Sequence, residues 1–269
     1  MRRFTSALKG EWKKIFTTRS WWILGLVMVL YVAFTAGLVG ALVGLGLDDM
    51  GVDGPGSELA QYIYTLGPTI AYLFPVLIGA LSITSEYRHH TLSSTFVWNG
   101  SRNAVLAAKV VTQSIMGVFY GIAALAAAVL SSSFFLAHAG FNTGLGEGST
   151  WLMFLRAVIA MGIWATIGVG IGILVRNQAA AIVIVIVFTQ FIEPIARMAG
   201  AFNKVVGNIV GYLPGAASDS FTGASFYSAI TSAGGYDGLS WWAGGLVLVG
   251  YAALLLVVGW LTRWRADVD

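Results

Sequence analysis

The sequence predicts an all-α polytopic membrane protein: six transmembrane helices, an amphipathic interfacial helix at the N-terminus, and an outer re-entrant hairpin before the last span. Two observations carry that prediction. Of 269 residues, 57% are hydrophobic and only 10% charged, whereas soluble domains carry about 25% charged residues; mean hydropathy is +0.80. The charges are also bunched. No Asp, Glu, Lys or Arg falls in 20–47, 59–85, 110–146, 157–175 or 238–262, uncharged runs of 28, 27, 37, 19 and 25 residues. A helix needs roughly 20 apolar residues to cross the hydrocarbon core. A soluble enzyme and a disordered tail are excluded. An outer-membrane barrel is excluded too, because its strands alternate over segments of about 10 residues.

The residues ahead of the first run form an element of their own. On a helical wheel Phe4, Leu8, Trp12, Ile15 and Phe16 share one face, with Arg2, Lys9 and Lys13 opposite and Arg3 and Lys14 flanking; Glu11 sits at the margin of the apolar face. A basic helix with an aromatic face is expected to lie in the interface, rings at the acyl boundary and lysines at anionic headgroups. The following apolar run far exceeds the core of a cleavable signal, about 7–15 residues. It reads as a retained first span.

Six spans are placed at about 21–46, 63–84, 110–136, 151–175, 178–193 and 240–262, the fifth short and ending at Glu193-Pro194. Twelve of the fifteen basic residues fall on one side: Arg2, Arg3, Lys9, Lys13, Lys14, Arg19, Arg88, Arg102, Lys109, Arg176, Arg263 and Arg265. Arg156, Arg197 and Lys204 fall on the other, with the acidic loop of Asp48, Asp49, Asp53 and Glu58. This bias puts both termini in the cytoplasm. The net charge of +3 therefore follows topology and does not form a nucleic-acid patch.

The sizeable cytoplasmic loop lies between spans two and three. It runs Ser85-Glu86-Tyr87-Arg88-His89-His90-Thr91-Leu92, then through Trp98 to Asn99-Gly100-Ser101-Arg102. Asn-Gly signals a turn and Asn103 is a candidate N-cap, so the loop is expected to be a short helix, a turn and a re-entry. The segment from Pro194 to Ser240 is apolar and Gly-rich, but a seventh crossing there would put Arg263 and Arg265 outside. A re-entrant hairpin on the outer side resolves that conflict, its backbone breaks buried in protein or facing water.

Motifs for catalysis are absent. No Gly-Lys pair occurs, so there is no phosphate-cradling loop of the G-x-x-x-x-G-K-[ST] type. Gly168, Gly170 and Gly172 lie inside span four, where they are expected to let helices approach, as are Gly40 with Gly44 and Gly117 with Gly121. His89 and His90 are adjacent rather than four apart and His138 stands alone, so no metal site is expected, and without cysteine there are neither disulfides nor thiolate ligands. Ionisable residues at membrane depth are functional suspects. Arg156 can snorkel outward, while Glu193 and Arg197, four apart, are expected to pair across a helix start. A proton-coupled carrier would use Glu193, but no second mid-membrane acid is legible.

Two stretches carry a family resemblance. Glu11-Trp12-Lys13-Lys14-Ile15-Phe16-Thr17-Thr18-Arg19-Ser20-Trp21-Trp22 resembles the entry to span one in bacterial ABC transporter permeases of the type-2 export class. Ser85 to Leu92, with Ser101-Arg102 and Ala107-Ala108-Lys109, is similar to that family's first cytoplasmic loop, and Tyr212-Leu213-Pro214 before the last span also fits. Many relatives carry a proline where this chain has Asn99-Gly100.

The resemblance implies one permease domain over 1–269: a connecting helix within 1–20 (about 4–18), a coupling loop over 85–109 whose helix (about 86–97) docks on a separate ATPase, and a hairpin and outer loop over 194–239. It implies a second permease chain, ATP and Mg on the partner ATPase and none here, and no catalysis by this chain. Transport would run outward by alternating access, in the bacterial cytoplasmic membrane, with antibiotic, peptide, lipid or glycolipid as cargo and efflux or resistance as the outcome. Under it, Glu86, Tyr87, Arg88 and Thr91 would orient the coupling helix or meet the ATPase, and Arg102 and Lys109 would anchor the loop at the headgroups. Trp12, Lys13, Lys14 and Arg19 would belong to the connecting helix. Tyr72, Phe74, Phe188 and Phe191, with Glu193, would line a substrate path along spans two and five at the chain-to-chain interface. The alternatives are an ATP-independent secondary transporter or channel, which predicts an internal repeat and paired intramembrane charges, and a membrane scaffold without cargo.

Overall fold

A computed structural model describes residues 2–48, 57–92, 95–96, 101–200, 202–224 and 238–264. Among these there are helices and short connections and no strand. Six helices are long and apolar enough to cross a membrane: Ser20–Gly44, Ser57–Arg88, Arg102–His138, Gly148–Val175, Gln178–Gly200 and Trp241–Trp264. All six expected spans are present. The Asn99-Gly100 turn, part of the expected coupling helix and residues 225–237 of the outer loop lie outside the described residues.

Helix α1 (Arg2–Thr17) leads into α2 (Ser20–Asp48), the first span. Span two is broken into α3 (Ser57–Ala71) and α4 (Leu73–Arg88). Pro75 has no N–H for the Ala71 carbonyl, so the ladder is interrupted at Tyr72. Span three is α5 (Arg102–His138). Its 37 residues make a rod of about 55 Å at 1.5 Å per residue, so it extends well past a hydrocarbon core of about 30 Å. Its N-cap is Ser101, whose side chain accepts from Ala104 N. The expected cap, Asn103, instead accepts from Trp260 Nε1.

Span four is α6 (Gly148–Val175). Span five runs from α7 (Gln178–Val187) through a π turn (Phe188–Ile192) into α8 (Glu193–Gly200). It passes the expected stop at Pro194. Glu193 N–H reaches back five residues to Phe188 O, and the widened turn accommodates a ring that an ordinary α-turn would exclude. Helix α9 (Lys204–Val210) packs against α8 with Gly200 against Gly207. Then come α10 (Pro214–Thr222) and α11 (Trp241–Gly259), the last continuing through a second π turn (Trp260–Trp264).

Span two is the interior element of the bundle. Tyr72, Phe74, Val76 and Ile78 join Met28 and Val32 of α2, Met116 and Tyr120 of α5, and Trp164 of α6 in the main core. The expected glycine contacts are all there. Gly168 and Gly172 meet the Val76 and Ala80 carbonyls of α4, Gly79 meets the Ala165 carbonyl, Gly117 meets Met161 O, and Gly170 faces Leu255 of α11. Gly40 and Gly44 seat α2 against Ser132 and Phe135, and Gly121 lies against Met161 and Val158. Any Cβ on the α4–α6 seam would overlap backbone oxygen, so these spans touch main chain to main chain. The opposite faces of α2, α5, α7 and α11 expose Leu30, Phe34, Leu130, Phe134, Val183 and Leu246, the apolar exterior a bilayer requires.

Candidate functional site

Two buried polar networks occupy opposite ends of the bundle. The first joins α1, α4 and α5. Lys109, entirely buried, donates to Glu11 Oε2 at 2.8 Å, Glu86 Oε1 at 2.6 Å and the Ser82 carbonyl at 3.1 Å. Lys14 donates to Glu11 Oε1 at 2.8 Å, Glu86 Oε1 at 2.7 Å and Thr95 Oγ1 at 3.2 Å. Two lysines and two carboxylates thus alternate in a formally neutral ring. Burial lowers the Lys14 pKa, but the Glu86 and Glu11 carboxylates outweigh that and hold it above the ordinary lysine value. Glu86 Oε2 is buried without a hydrogen-bond partner among the described residues, so all of that carboxylate's bonding runs through one oxygen.

The ring places several of the residues singled out in the sequence. Lys109 lies wholly inside the protein, seven residues into α5, which begins two turns earlier than the uncharged run suggests. Glu86 ends span two facing inward, 6% exposed. On α1 the buried positions among the described side chains are Ala7, Glu11 and Ile15, a stripe spaced four residues apart that puts the apparently misplaced acid at the centre of the packed face. Trp12 lies beside that stripe and stacks on Phe16 at 5.5 Å. Lys13 and Arg19 are exposed.

The rest of the loop is pinned around the ring. Span two ends with His89 N donating to Ser85 O, and His90 turns the chain at φ +52°. Thr91 N then donates to Glu86 O, and Thr95 Oγ1 donates to Thr91 O while accepting from Lys14. Leu92 packs with Ile83, Val105, Val169, Ile173 and Trp264. Phe96 meets Trp264 edge-on, with the Arg102 guanidinium 5.2 Å above its ring, and Trp264 Nε1 donates to Arg102 O. Tyr87 lies under the Arg176 guanidinium at 5.3 Å, and Arg88 donates to Gln178 Oε1 at 3.2 Å.

The second network lies at the hairpin end. Arg197 bridges Glu193 at 3.2 Å, the expected i,i+4 pair, and Asp219 at 2.7 Å. Glu193 Oε1 also accepts from the N–H groups of Gly215 (2.6 Å) and Ala216 (3.1 Å), so a span-five carboxylate caps α10. Tyr72 Oη donates to Glu193 Oε2 and the Thr189 carbonyl, and its ring stacks on Trp164, whose Nε1 donates to Ser218 Oγ. Thr69 Oγ1 donates to Asp219 Oδ1. A cavity of about 40 Å³ opens beside this network, lined by Thr69, Tyr72, Thr189 and Glu193 among others.

Of the four aromatics expected on one path, Tyr72 and Phe74 are buried in the core, Phe188 is half-buried, and Phe191 points outward, 58% exposed. Two residues escaped sequence reasoning as site members. Glu11 carried a signal, an acid interrupting an apolar helical face. Asp219 carried one as well, since it alone is charged between Lys204 and Asp237. Among the described residues, no group of His, Cys, Asp and Glu could hold a metal ion.

A family model described as "ABC-2 family transporter protein" matches residues 7–191, from α1 through most of span five. No curated protein matches the chain.

Proposed function

The chain belongs to the ABC-2 transporter family, and from that premise we propose that it is the membrane-spanning subunit of an ATP-driven exporter for a hydrophobic or amphipathic cargo. The family makes the chain a multi-pass membrane permease that associates with an ATPase, and in this reading hydrolysis belongs to that partner. The finer reading has two permease chains and two ATPases in a bacterial cytoplasmic membrane, both permease termini cytoplasmic. Export then runs by alternating access, with antibiotic, peptide, lipid or glycolipid as the class of cargo.

The observation that carries the coupling mechanism is the buried ring of Glu11, Lys14, Glu86 and Lys109. It ties the connecting helix, the end of span two, the start of span three and, through Thr95, the loop helix. A push on the loop by a closing ATPase dimer would therefore move α1, α4 and α5 together, since stretching buried charge-assisted bonds is costly. Glu86 and Lys109 act as positioning residues, while Tyr87, Arg88, Thr91 and Arg102 brace the loop from the side.

The ATP-independent reading draws less support. Glu193 accepts from Tyr72, Arg197 and two backbone N–H groups, which favours a fixed cap over a carboxylate that cycles its proton. The deciding experiment is affinity purification of the tagged chain in mild detergent, with a vanadate-sensitive ATPase assay. Stoichiometric recovery of a nucleotide-binding partner with that activity supports the exporter. A chain that purifies alone from native membranes, with no ATPase, overturns it.

A further inference from the structure

We propose that the α1-side ends of spans two, four and six form a binding site for an anionic phospholipid headgroup, built from the guanidinium groups of Arg88, Arg176 and Arg263. These residues come from three separate spans. Arg88 closes α4, Arg176 caps α6 and Arg263 lies in the π turn after α11. Tertiary structure draws them together: Arg176 Nη2 donates to the Arg263 carbonyl at 2.6 Å, the Arg176 guanidinium lies over the Tyr87 ring, and Arg88 reaches Gln178 at the start of span five.

Their bonding sets them apart from the chain's interior cations. Lys14, Lys109 and Arg197 each contact two carboxylates. Arg88, Arg176 and Arg263 contact none among the described residues, only an amide, a backbone carbonyl and a ring face. Arg176 Nε is buried without a hydrogen-bond partner. Arg88 and Arg263 are exposed. The cluster thus holds three positive charges with free donors at the ends of three spans.

Backbone geometry reinforces the point. Arg176 caps α6 at φ +54°, a conformation that favours glycine and that glycine supplies at most helix ends of this kind. Its side chain is held in place by both Tyr87 and the end of span six. A phosphodiester fits this arrangement, because guanidinium groups bind phosphate oxygens through paired, charge-assisted bonds. Basic pockets between span ends on the cytoplasmic side recognise such headgroups. Three arginines from three spans would let one lipid clamp those ends together, next to the loop that Tyr87 and Arg88 brace. The inference takes its leaflet from the charge bias of the sequence and does not depend on the cargo.

The test is thermal unfolding of the full-length chain in neutral detergent, with phosphatidylglycerol or phosphatidylcholine added. Phosphatidylglycerol is expected to raise Tm by several degrees more than phosphatidylcholine does. Arg176→Gly, compatible with the local φ, should cut that difference by at least half. The double variant Arg88→Gln/Arg263→Gln, confined to exposed side chains, should do the same and keeps the test standing if Arg176→Gly folds poorly. Lys204→Gln, which removes one exposed charge at the opposite end, should leave the difference unchanged. An equal lipid response in all variants overturns the site. So does an unchanged lipid response with loss of a co-purifying ATPase, which would assign the cluster to an acidic surface of the partner.

Discussion

Glu11 and Lys109 are 98 residues apart in the chain and 2.8 Å apart in the fold. One lies on the helix ahead of the first span and the other two turns into the third. Their pairing fixes α1 against α5, and with Lys14 and Glu86 it closes a neutral ring around the start of the loop. Removing any member leaves a buried charge with fewer counter-charges, the property on which the proposed coupling role rests.

Lys109→Met should be among the most damaging single changes in the chain. It leaves Glu11 and Glu86 facing each other with only Lys14 between them, and stranding one side of a buried ion pair costs about 3–5 kcal/mol. Adding Glu11→Gln should recover part of that loss. Thermal unfolding of the two single variants and the double variant measures the coupling, expected at roughly 0.5–3 kcal/mol for residues in one network; strict additivity would remove the pair from the ring.

Glu86→Gln should separate hydrolysis from transport. The amide keeps the side chain's shape but cannot balance two lysines, so the hold of Lys14 and Thr95 on the loop weakens. In reconstituted vesicles we expect membrane insertion and ATPase activity to persist while cargo export falls at least tenfold. Full export by this variant would reduce Glu86 to a packing residue.

On the alkaline side the pH dependence of the ring follows Lys14, whose pKa the two carboxylates raise above the ordinary 10.5 despite its burial. A lysine with a raised folded-state pKa contributes stability that is complete below the unfolded value and is lost as pH rises through the folded one. The Tm gap between the parent and Lys14→Met should therefore be flat from about pH 7 to 9 and shrink only above the ordinary lysine range. A gap that closes near neutrality would contradict this.

Backbone-to-backbone contact between spans two and four predicts a sharp contrast among glycines. Gly168→Ala puts a methyl into the Val76 carbonyl, whereas Gly250 on α11 has open space around it. Overpacking of this kind costs typically about 1–3 kcal/mol. Gly168→Ala should lower Tm by several degrees, and Gly250→Ala should be neutral or slightly stabilising.

At the other end, Gly215→Ala should be worse than Glu193→Gln. A Cβ at Gly215 would collide with both the Glu193 carboxylate and the Arg197 guanidinium. The amide in Glu193→Gln can still accept from Gly215 and Ala216 through its oxygen, and its loss should stay near 1–3 kcal/mol. Protease protection of the α9–α10 segment would rank the two variants; the reverse order would separate the cap from the hairpin's position.

Much of the fold was written in local composition. The five long uncharged runs located spans one to four and six, a shorter apolar stretch after Arg176 located the fifth, and the small residues at Gly40, Gly117 and Gly168 marked the seams where helices meet. Span ends were less legible, because hydropathy sees only where charge begins. Lys109 ended an apolar run and so read as an interfacial anchor, although α5 starts seven residues before it. Pro194 read as a stop because the π turn that admits it leaves no mark on hydropathy.

What the sequence determined by itself is the class of the protein: apolar runs long enough to span, charges distributed by side, and two stretches resembling a known permease family. Those properties are local or summed, and survive without knowing what touches what. The tertiary structure decided which charges are paired. Glu11 looked like a flaw in an amphipathic face until α5 brought Lys109 against it, and Asp219 looked incidental until α10 brought it to Arg197. The physical reason is that a charge can be buried only with its counter-charge, and in both networks that counter-charge comes from a distant part of the chain.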